Sequence, residues 1–262
     1  MSRTRHKSGS SFFVSGGADK VLKLWHIPHA KLATAVTQKT CISLVAVCSA
    51  RAHSKDINSV DISPNDAVVA SGSQDSLVRL WNSSDLTPIG SLSGHKRGVW
   101  CVRFSPVDMC LASAAGDRTV KIWSLLDHSC LRTMQGHTSS VLSLQFLSNG
   151  LKLMSGSADG LMRVWNVRNG ECQSVLDHHT DKIWAIRQFH ADAMVSAGSD
   201  ASVVIWRDAS GENEVIRQEK AESTLLLEQM LSNALGRKQY GEVVMYTLFL
   251  FCNIVWLNAI GP

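Results

Sequence analysis

The stretch Ser71–Trp81, "SGSQDSLVRLW", decides the fold, because the chain says it again. "SAAGDRTVKIW" runs from Ser113 to Trp123, "SGSADGLMRVW" from Ser155 to Trp165, and "SAGSDASVVIW" from Ser196 to Trp206. In each copy Ser precedes Asp by four residues and Asp precedes Trp by six, giving Ser71/Asp75/Trp81, Ser113/Asp117/Trp123, Ser155/Asp159/Trp165 and Ser196/Asp200/Trp206. Upstream, His53, His95, His137 and His179 recur every 42 residues and stand 22, 22, 22 and 21 residues ahead of their Asp. Four residue types keeping one period define a structural unit of about 42 residues.

Within a unit the pattern is all β. "VWCVRFS" (99–105) alternates apolar and polar residues, as a strand with one buried face does. "MCLASA" (109–114) is a short, mostly apolar run suited to a strand buried on both faces, and "TVKIWS" (119–124) alternates again. A turn bearing Gly116 and Asp117 joins these two, and "CLRTM" (130–134) supplies a fourth strand. No helix-length apolar stripe occurs before about residue 214. Four short strands per unit make one blade of a β-propeller, so the expected fold is all-β: an incomplete or open propeller of four full repeats and one partial, with a short helical C-terminal tail.

The four periodic polar residues then have a structural task. A His before the first strand, a Ser on the second, an Asp in the turn and a Trp on the third can converge within one blade. The Asp accepts from the imidazole and from turn amides, the imidazole accepts from the Ser hydroxyl, and the Ser accepts from the indole N–H. Such a closed network satisfies buried polar groups and fixes the blade's geometry. Ser, His and Asp are also the residue types of a nucleophilic triad. A set that occurs four times argues against that, since an active site occurs once.

The "GH … SGSxD … IW" pattern resembles the WD-repeat family, with "GH" at Gly94-His95 and Gly136-His137. The first and last full repeats carry Ala52-His53 and His178-His179 instead, and the tryptophans are followed by Asn82, Ser124, Asn166 and Arg207 where the family has Asp. These departures leave the tetrads intact. "HSKDINSVDISPND", "SGHKRGVWCVRFSP", "GLMRVWNVRNGEC", "HTDKIWAI" and "VVIWRD" further resemble the C-terminal part of the nucleolar WD-repeat proteins of the small-subunit processome. "LLEQMLSNALGRKQYGEVV" is similar to the start of the helical domain that follows the propellers in that family.

A further copy stands at the front. "SFFVSGGADKVLKLW" (11–25) places Ser15, Asp19 and Trp25 at the repeat offsets, but without a His or a recognisable first strand. Residues 1–10 read as a disordered basic leader and 11–209 as propeller blades. Trp25 to His53 is 28 residues against 14 in the other repeats, which predicts a longer loop or an irregular outer strand around "ISLVAVC" (42–48). Seven blades are usual for this family. The count here therefore predicts a fragment, spliced product or incomplete gene model of a longer protein, an arc with open edges.

After Trp206 the composition shifts. Residues 210–242 read as a helical linker or the start of a helical domain, with Leu225, Leu227, Met230, Leu231 and Leu235 on one face and Gly236 as a C-cap. Val243 to Ile260 is 18 residues without a charge. Non-native coding at an altered terminus, a truncated core helix and a tail anchor compete for this segment. Asn253, Asn258 and the absence of flanking basic residues weigh against a membrane span.

Bulk composition excludes little. The 262 residues carry a net charge of +4, 45% hydrophobic and 18% charged residues, as a globular protein does. Cys41, Cys48, Cys101, Cys110, Cys130, Cys172 and Cys252 contain no CxxC pair, so free thiols packed as small hydrophobes are expected rather than a zinc site. No Gly-rich phosphate loop or single polar constellation marks an enzyme, and no cofactor or small-molecule substrate is expected. Lys96, Arg97 and Lys182, just past the blade histidines, are the candidate partner-binding rim. Arg103, Arg118, Lys121, Arg163, Arg168 and Arg187 read as solvated faces. The resemblance implies a nucleolar, non-enzymatic scaffold for pre-ribosomal RNA processing. Its partners would be protein subunits of a ribonucleoprotein, with weak or indirect RNA contact. An adaptor of another complex, a ubiquitin-ligase substrate receptor or a signalling scaffold, is the alternative.

Overall fold

The computed structural model describes residues 2–5, 11–27, 44–147, 150–190, 193–207 and 229. The unit Met1–Trp206 holds five antiparallel sheets. The first is β1 (Ser2–Arg5), β2 (Ser11–Gly16), β3 (Val21–Ile27) and β4 (Ala46–Arg51). The second is β5 (Ile57–Ile62), β6 (Val68–Ser73), β7 (Val78–Asn82) and β8 (Pro88–Leu92). The third is β9 (Val99–Phe104), β10 (Cys110–Ala115), β11 (Thr119–Ser124) and β12 (Cys130–Gln135). The fourth is β13 (Val141–Phe146), β14 (Lys152–Ser157), β15 (Leu161–Asn166) and β16 (Cys172–Asp177). The fifth, with three strands among the described residues, is β17 (Ile183–His190), β18 (Ala193–Gly198) and β19 (Val203–Arg207).

Each sheet is a meander whose strands pair in sequence order, and the 42-residue period is one sheet. The mostly apolar β10 is buried along its whole length, whereas β12 at the outer edge exposes all but Met134. This gradient from centre to rim explains why sequence patterning is strongest in the second and third strands. The polypeptide of one unit joins its neighbour at the first strands: β5 packs on β9, β9 on β13, and β13 on β17. The neighbouring first strands are linked by side chains. The amide of Val102 donates to Ser59 Oγ at 3.2 Å, that of Phe104 to Asp61 at 2.9 Å, and that of Ile186 to Ser143 Oγ at 3.1 Å. Between sheets, apolar faces interlock. Val78 and Leu80 of the second sheet pack with Val99, Val102 and Phe104 of the third, and Met162 and Val164 of the fourth with Ile183 and Ile186 of the fifth. Gly156 marks how close these faces come: a Cβ there would lie 2.8 Å from both Ile183 Cγ2 and Ile186 Cδ1.

Three expectations are corrected. Residues 1–10 are not simply a leader, and the front copy does have a first strand. Ser2–Arg5 pairs with β2 in the register Ser2↔Val14 to Arg5↔Ser11. "SRTR" lacks the apolar residues that sequence reading relies on, but a ladder is made by backbone groups, and the exposed edge of β2 demands a partner whatever its side chains. The outer strand of this sheet lies at Ala46–Arg51, displaced toward the C-terminus from 42–48; its pairing is irregular as expected, with a register shift between Leu24 and Trp25 that sets Trp25 opposite Ala46. The thiols divide. Cys101 and Cys110 are buried as expected, but Cys130 and Cys172 are exposed, because the outer strands on which they sit have solvent on both faces. The helical segment 210–242 and the apolar segment 243–262 lie outside the described residues, Gln229 excepted. Among the described residues no helix is long and apolar enough to cross a membrane, and no cluster of three or more metal-ligating side chains occurs.

Candidate functional site

The periodic residues meet in every full unit. In the third sheet, His95 Nδ1 lies 2.9 Å from Asp117, His95 Nε2 lies 2.7 Å from Ser113 Oγ, and the Trp123 indole N–H donates to Ser113 Oγ at 2.7 Å. The second sheet brings together His53, Asp75, Ser71 and Trp81 with distances of 3.0, 2.8 and 2.9 Å. The fourth joins His137, Asp159, Ser155 and Trp165 at 3.0, 2.7 and 2.7 Å. The fifth joins His179, Asp200, Ser196 and Trp206 at 2.9, 2.7 and 2.8 Å.

The donors fix the direction of these chains. An indole N–H can only donate, so the Ser oxygen accepts from it and turns its own proton to His Nε2. The imidazole is then the neutral Nδ1–H tautomer, which donates to the carboxylate. Burial pushes the His53 imidazole below its ordinary pKa despite the opposing pull of Asp75, which agrees with a neutral ring. Burial would raise the Asp75 carboxyl, but the Ser54 amide, His53 and the Leu77 amide outweigh it and hold it below the usual range. Asp117 and Asp159 are held low in the same way, against burial, by their imidazoles and turn amides. Asp200 is held low first by the Ser202 hydroxyl. The front copy has only half of this network. Trp25 donates to Ser15 Oγ at 2.9 Å, while Asp19, without an imidazole partner among the described residues, accepts from the Val21 amide and pairs with Lys23 at 3.3 Å.

These tetrads are built to hold, not to react. Ser71, Ser113, Ser155 and Ser196 are each 0% exposed, so no acyl or phosphoryl donor reaches their oxygens. Each oxygen is already held between an indole and an imidazole.

Two openings present chemistry to solvent. The first strands line a central cavity of about 640 Å³, to which β5, β9, β13 and β17 contribute Ser59, Asp61, Arg103, Gln145 and Arg187. Arg103 lies 3.7 Å from Asp61 there, so it is not simply a solvated face. The second is a cleft of about 870 Å³ between the third and fourth sheets. Lys96 and Arg97 line it together with Arg118 and Lys121. Lys182 lies apart from that cleft, at the entry to β17, where its amide donates to the Asp181 carboxylate at 2.7 Å. The cleft's one carboxylate, Asp117, is already engaged by His95, Lys96 N–H and Thr119, so the cleft is cationic. Sequence reading missed Arg118 and Lys121. Both sit in the most repeated stretch of the chain, where periodicity draws attention to structure. The signal available was that the other full repeats have Ser76, Gly160 and Ala201 at the position of Arg118.

The family model "WD domain, G-beta repeat" matches residues 40–82, 86–124, 128–166 and 170–207. Transducin beta-like protein 3 of Mus musculus is 44% identical over 72 residues, 27% of this chain and 9% of that protein. The Homo sapiens protein of the same name is 46% identical over 72 residues, with the same coverage. U3 small nucleolar RNA-associated protein 13 of Saccharomyces cerevisiae is 34% identical over 76 residues, 29% of this chain and 9% of that protein. The matched region thus spans 9% of the length of these relatives. Among solved structures, the computationally designed Ika8 protein is similar with a TM-score of 0.61 and 26% identity, over 78% of this chain and 58% of that one.

Proposed function

We propose that this chain, which belongs to the WD-repeat family, is a non-catalytic scaffold of the small-subunit processome, acting in pre-ribosomal RNA processing in the nucleolus. The observation that carries the reading is the likeness, 44–46% over 72 residues, to transducin beta-like protein 3. The yeast relative adds weight, since it is named for its association with U3 small nucleolar RNA. The tetrads favour a scaffold because their reactive residue types are buried and mutually satisfied. Binding is left to the exposed loops and clefts that a rigid blade presents.

On this reading the cationic cleft of Lys96, Arg97, Arg118 and Lys121 is a docking rim for subunits of the ribonucleoprotein. Among the described residues the ring lining the cleft is that of His137, which is buried and held between Asp159 and Ser155, so contact with RNA is limited to phosphates or is indirect. The test is a pull-down of the tagged full chain, with co-purified RNA sequenced and proteins identified by mass spectrometry. Enrichment of U3 small nucleolar RNA with processome subunits is the expected result. Recovery instead of ubiquitin-ligase or signalling components would overturn the processome reading in favour of an adaptor of another complex. Lys96→Glu with Arg97→Glu leaves folding intact, because exposed charges contribute little to it. The double variant is expected to lose most of the recovered partners. Full recovery would remove the cleft from the proposal.

A further inference from the structure

The repeat supplies its own standard for the charge at the end of each sheet. Four register positions carry the cations of the cleft at the third sheet: the first and second residues after the tetrad His, and the first and fourth after the tetrad Asp. There they are Lys96, Arg97, Arg118 and Lys121. The same four positions hold two cations in the second sheet, Lys55 and Arg79, one in the fourth, Arg163, and none in the fifth. Arg79 and Arg163 are taken up within their own sheets: Arg79 donates to the Ala52 carbonyl at 2.8 Å, and Arg163 lies 3.6 Å from Cys172 Sγ. Among the described residues the ion pairs made by lysine or arginine are Lys23 with Asp19 and Arg103 with Asp61, so the four cations of the third sheet have none.

The third sheet also has an opening that the others lack. The residue before the tetrad Asp is Gln74, Ala158 and Ser199 in the other full repeats, and Gly116 here. Gln74 fills its space so completely that a Cβ at Gly98 would collide with Gln74 Oε1. A Cβ at Gly116 would instead be in ordinary contact, 3.5 Å from Arg97 Cβ, 3.5 Å from Trp100 Nε1 and 3.6 Å from Ser140 Oγ. An arginine, an indole N–H and a hydroxyl therefore border the room that Gly116 leaves. Among the described residues no hydrogen bond engages the Trp100 N–H. The charged groups of the cleft are donors apart from Asp117, whose oxygens are taken by His95, the Lys96 amide and Thr119. Such a lining takes a ligand rich in acceptors.

The cations are strung across the sheet. Arg97 stands at the entry to β9, Arg118 in the turn between β10 and β11, and Lys121 on β11 donates to Thr133 Oγ1 of β12 at 2.8 Å. Four strands at about 4.8 Å between neighbours span roughly 14 Å, which about four residues of an extended chain cross. We infer that the cleft takes an extended acidic peptide, a segment of a protein partner whose carboxylates meet Arg97, Arg118 and Lys121 in turn and whose backbone carbonyl accepts from Trp100 at the Gly116 opening. The inference rests on the reading of this cleft as a docking rim and names what docks there. A peptide fits better than RNA. Sites for single strands offer ring faces on which bases stack, whereas here the His137 ring is committed to its tetrad and Trp100 turns the edge of its ring to the opening. Double-stranded RNA is gripped over about 16 base pairs, far more than the end of one sheet can span.

The experiment is fluorescence anisotropy on the purified full chain with a fluorescein-labelled peptide of four Glu-Ser repeats, at about 0.1 M salt so that distant charges are screened. A Gln-Ser peptide of the same length and a uridine RNA octamer, labelled alike, are the comparison probes. The Glu-Ser peptide is expected to bind about tenfold tighter than either. Arg118→Ser installs the residue that the second sheet has there, and Gly116→Gln closes the opening as Gln74 does, without a change of charge. Each is expected to weaken binding by about fivefold or more. Lys55→Ser removes a cation from the second sheet and is expected to change nothing. Circular dichroism confirms that each variant is folded, and if Gly116→Gln is not, Arg118→Ser against Lys55→Ser decides alone. Equal binding of the two peptides overturns the inference, as does unchanged binding by Arg118→Ser or an equal loss in Lys55→Ser. Tighter binding of the RNA overturns it in favour of a phosphate backbone. Failure here leaves the processome reading intact, because the pull-down tests that by the identity of the partners. A pull-down that recovers another complex, with peptide binding still dependent on Arg118, removes the processome reading and keeps the acidic peptide.

Discussion

Removing the carboxylate of Asp117 tests whether the tetrad holds the blade together. Asp117 accepts from His95 Nδ1 at 2.9 Å, from the Lys96 amide at 2.9 Å, from the Thr119 amide at 3.1 Å and from the Thr119 hydroxyl at 2.7 Å. Its side chain is 8% exposed and that of His95 1%. In Asp117→Ala the Lys96 amide lies at the surface and regains water, so its loss is small. The His95 N–H does not; with only the Thr119 hydroxyl left as an acceptor, at 3.4 Å, the poorly paired buried donor costs about 1–3 kcal/mol. Adding partial loss at Thr119, the expected destabilisation is about 2–3 kcal/mol. At about 2–4 °C per kcal/mol for a chain of this size, that lowers the melting temperature by roughly 4–12 °C. Urea unfolding followed by tryptophan fluorescence is the assay, since Trp123 sits three hydrogen bonds from the altered residue, through His95 and Ser113. Asp117→Asn keeps one acceptor oxygen and is expected to recover part of the loss. Asp19→Ala is the internal control. That aspartate is exposed and has no imidazole to satisfy among the described residues, and its substitution leaves the unfolding midpoint where it was. A loss below about 0.5 kcal/mol for Asp117→Ala, the scale of an ordinary surface change, would refute the network argument.

Acid should act in two stages. The His53 pKa is lowered on folding, so the unfolded state binds that proton more tightly; its contribution is complete above about pH 6.5 and is lost as pH falls below it. Asp75, Asp117 and Asp159 are lowered too, and what they contribute is present above about pH 4 and lost as pH falls through their folded values. Thermal melts are expected to be flat from neutral to mildly alkaline pH, to decline gently below about pH 6.5 and steeply below about pH 4; a melting temperature that rises between pH 7 and 5 would contradict the sign. Gly156→Val drives a branched side chain into Ile183 and Ile186, and overpacking of this kind costs about 1–3 kcal/mol. Hydrogen exchange should show β17 opening first, and protection unchanged there would mean the fifth sheet does not rest on the fourth at that point.

The fold was legible because its determinants are periodic. Ser113, Asp117 and Trp123 specify both a strand pair and the hydrogen bonds that lock it, so spacing alone located β10, β11 and the turn between them. The tetrads were legible for the same reason: a donor-only indole, a hydroxyl, an imidazole and a carboxylate have one order in which all are satisfied. Ser2–Arg5 was not legible, because backbone pairing leaves no trace in side-chain patterning. The cleft was half legible. Lys96 and Arg97 stand out in a loop, but Arg118 and Lys121 reach the same space from β11 and the turn before it, which only the pairing of the third and fourth sheets reveals.

The same internal comparison separates structural from selected features at one backbone position. The residue after the tetrad aspartate adopts a left-handed conformation in all five sheets, with φ of 65° at Lys20, 68° at Ser76, 68° at Arg118, 82° at Gly160 and 59° at Ala201. The turn therefore asks for glycine everywhere. Only Gly160 is further confined, since a Cβ there would come within 2.8 Å of the His179 carbonyl oxygen. At the other four sites a side chain fits but strains the backbone, by about 1 kcal/mol for an ordinary L-residue. Ser76 and Ala201 show that a small residue meets the turn's needs. No backbone demand selects a long cation at 118, so the guanidinium there is accounted for by what it faces: a cleft already holding Lys96, Arg97 and Lys121, whose sole carboxylate is committed to His95. Four cations held with a single carboxylate as counter-charge leave the cleft net positive, and an anionic partner relieves their repulsion. A feature that costs conformational energy and gains nothing within the blade points outward, to whatever the blade binds.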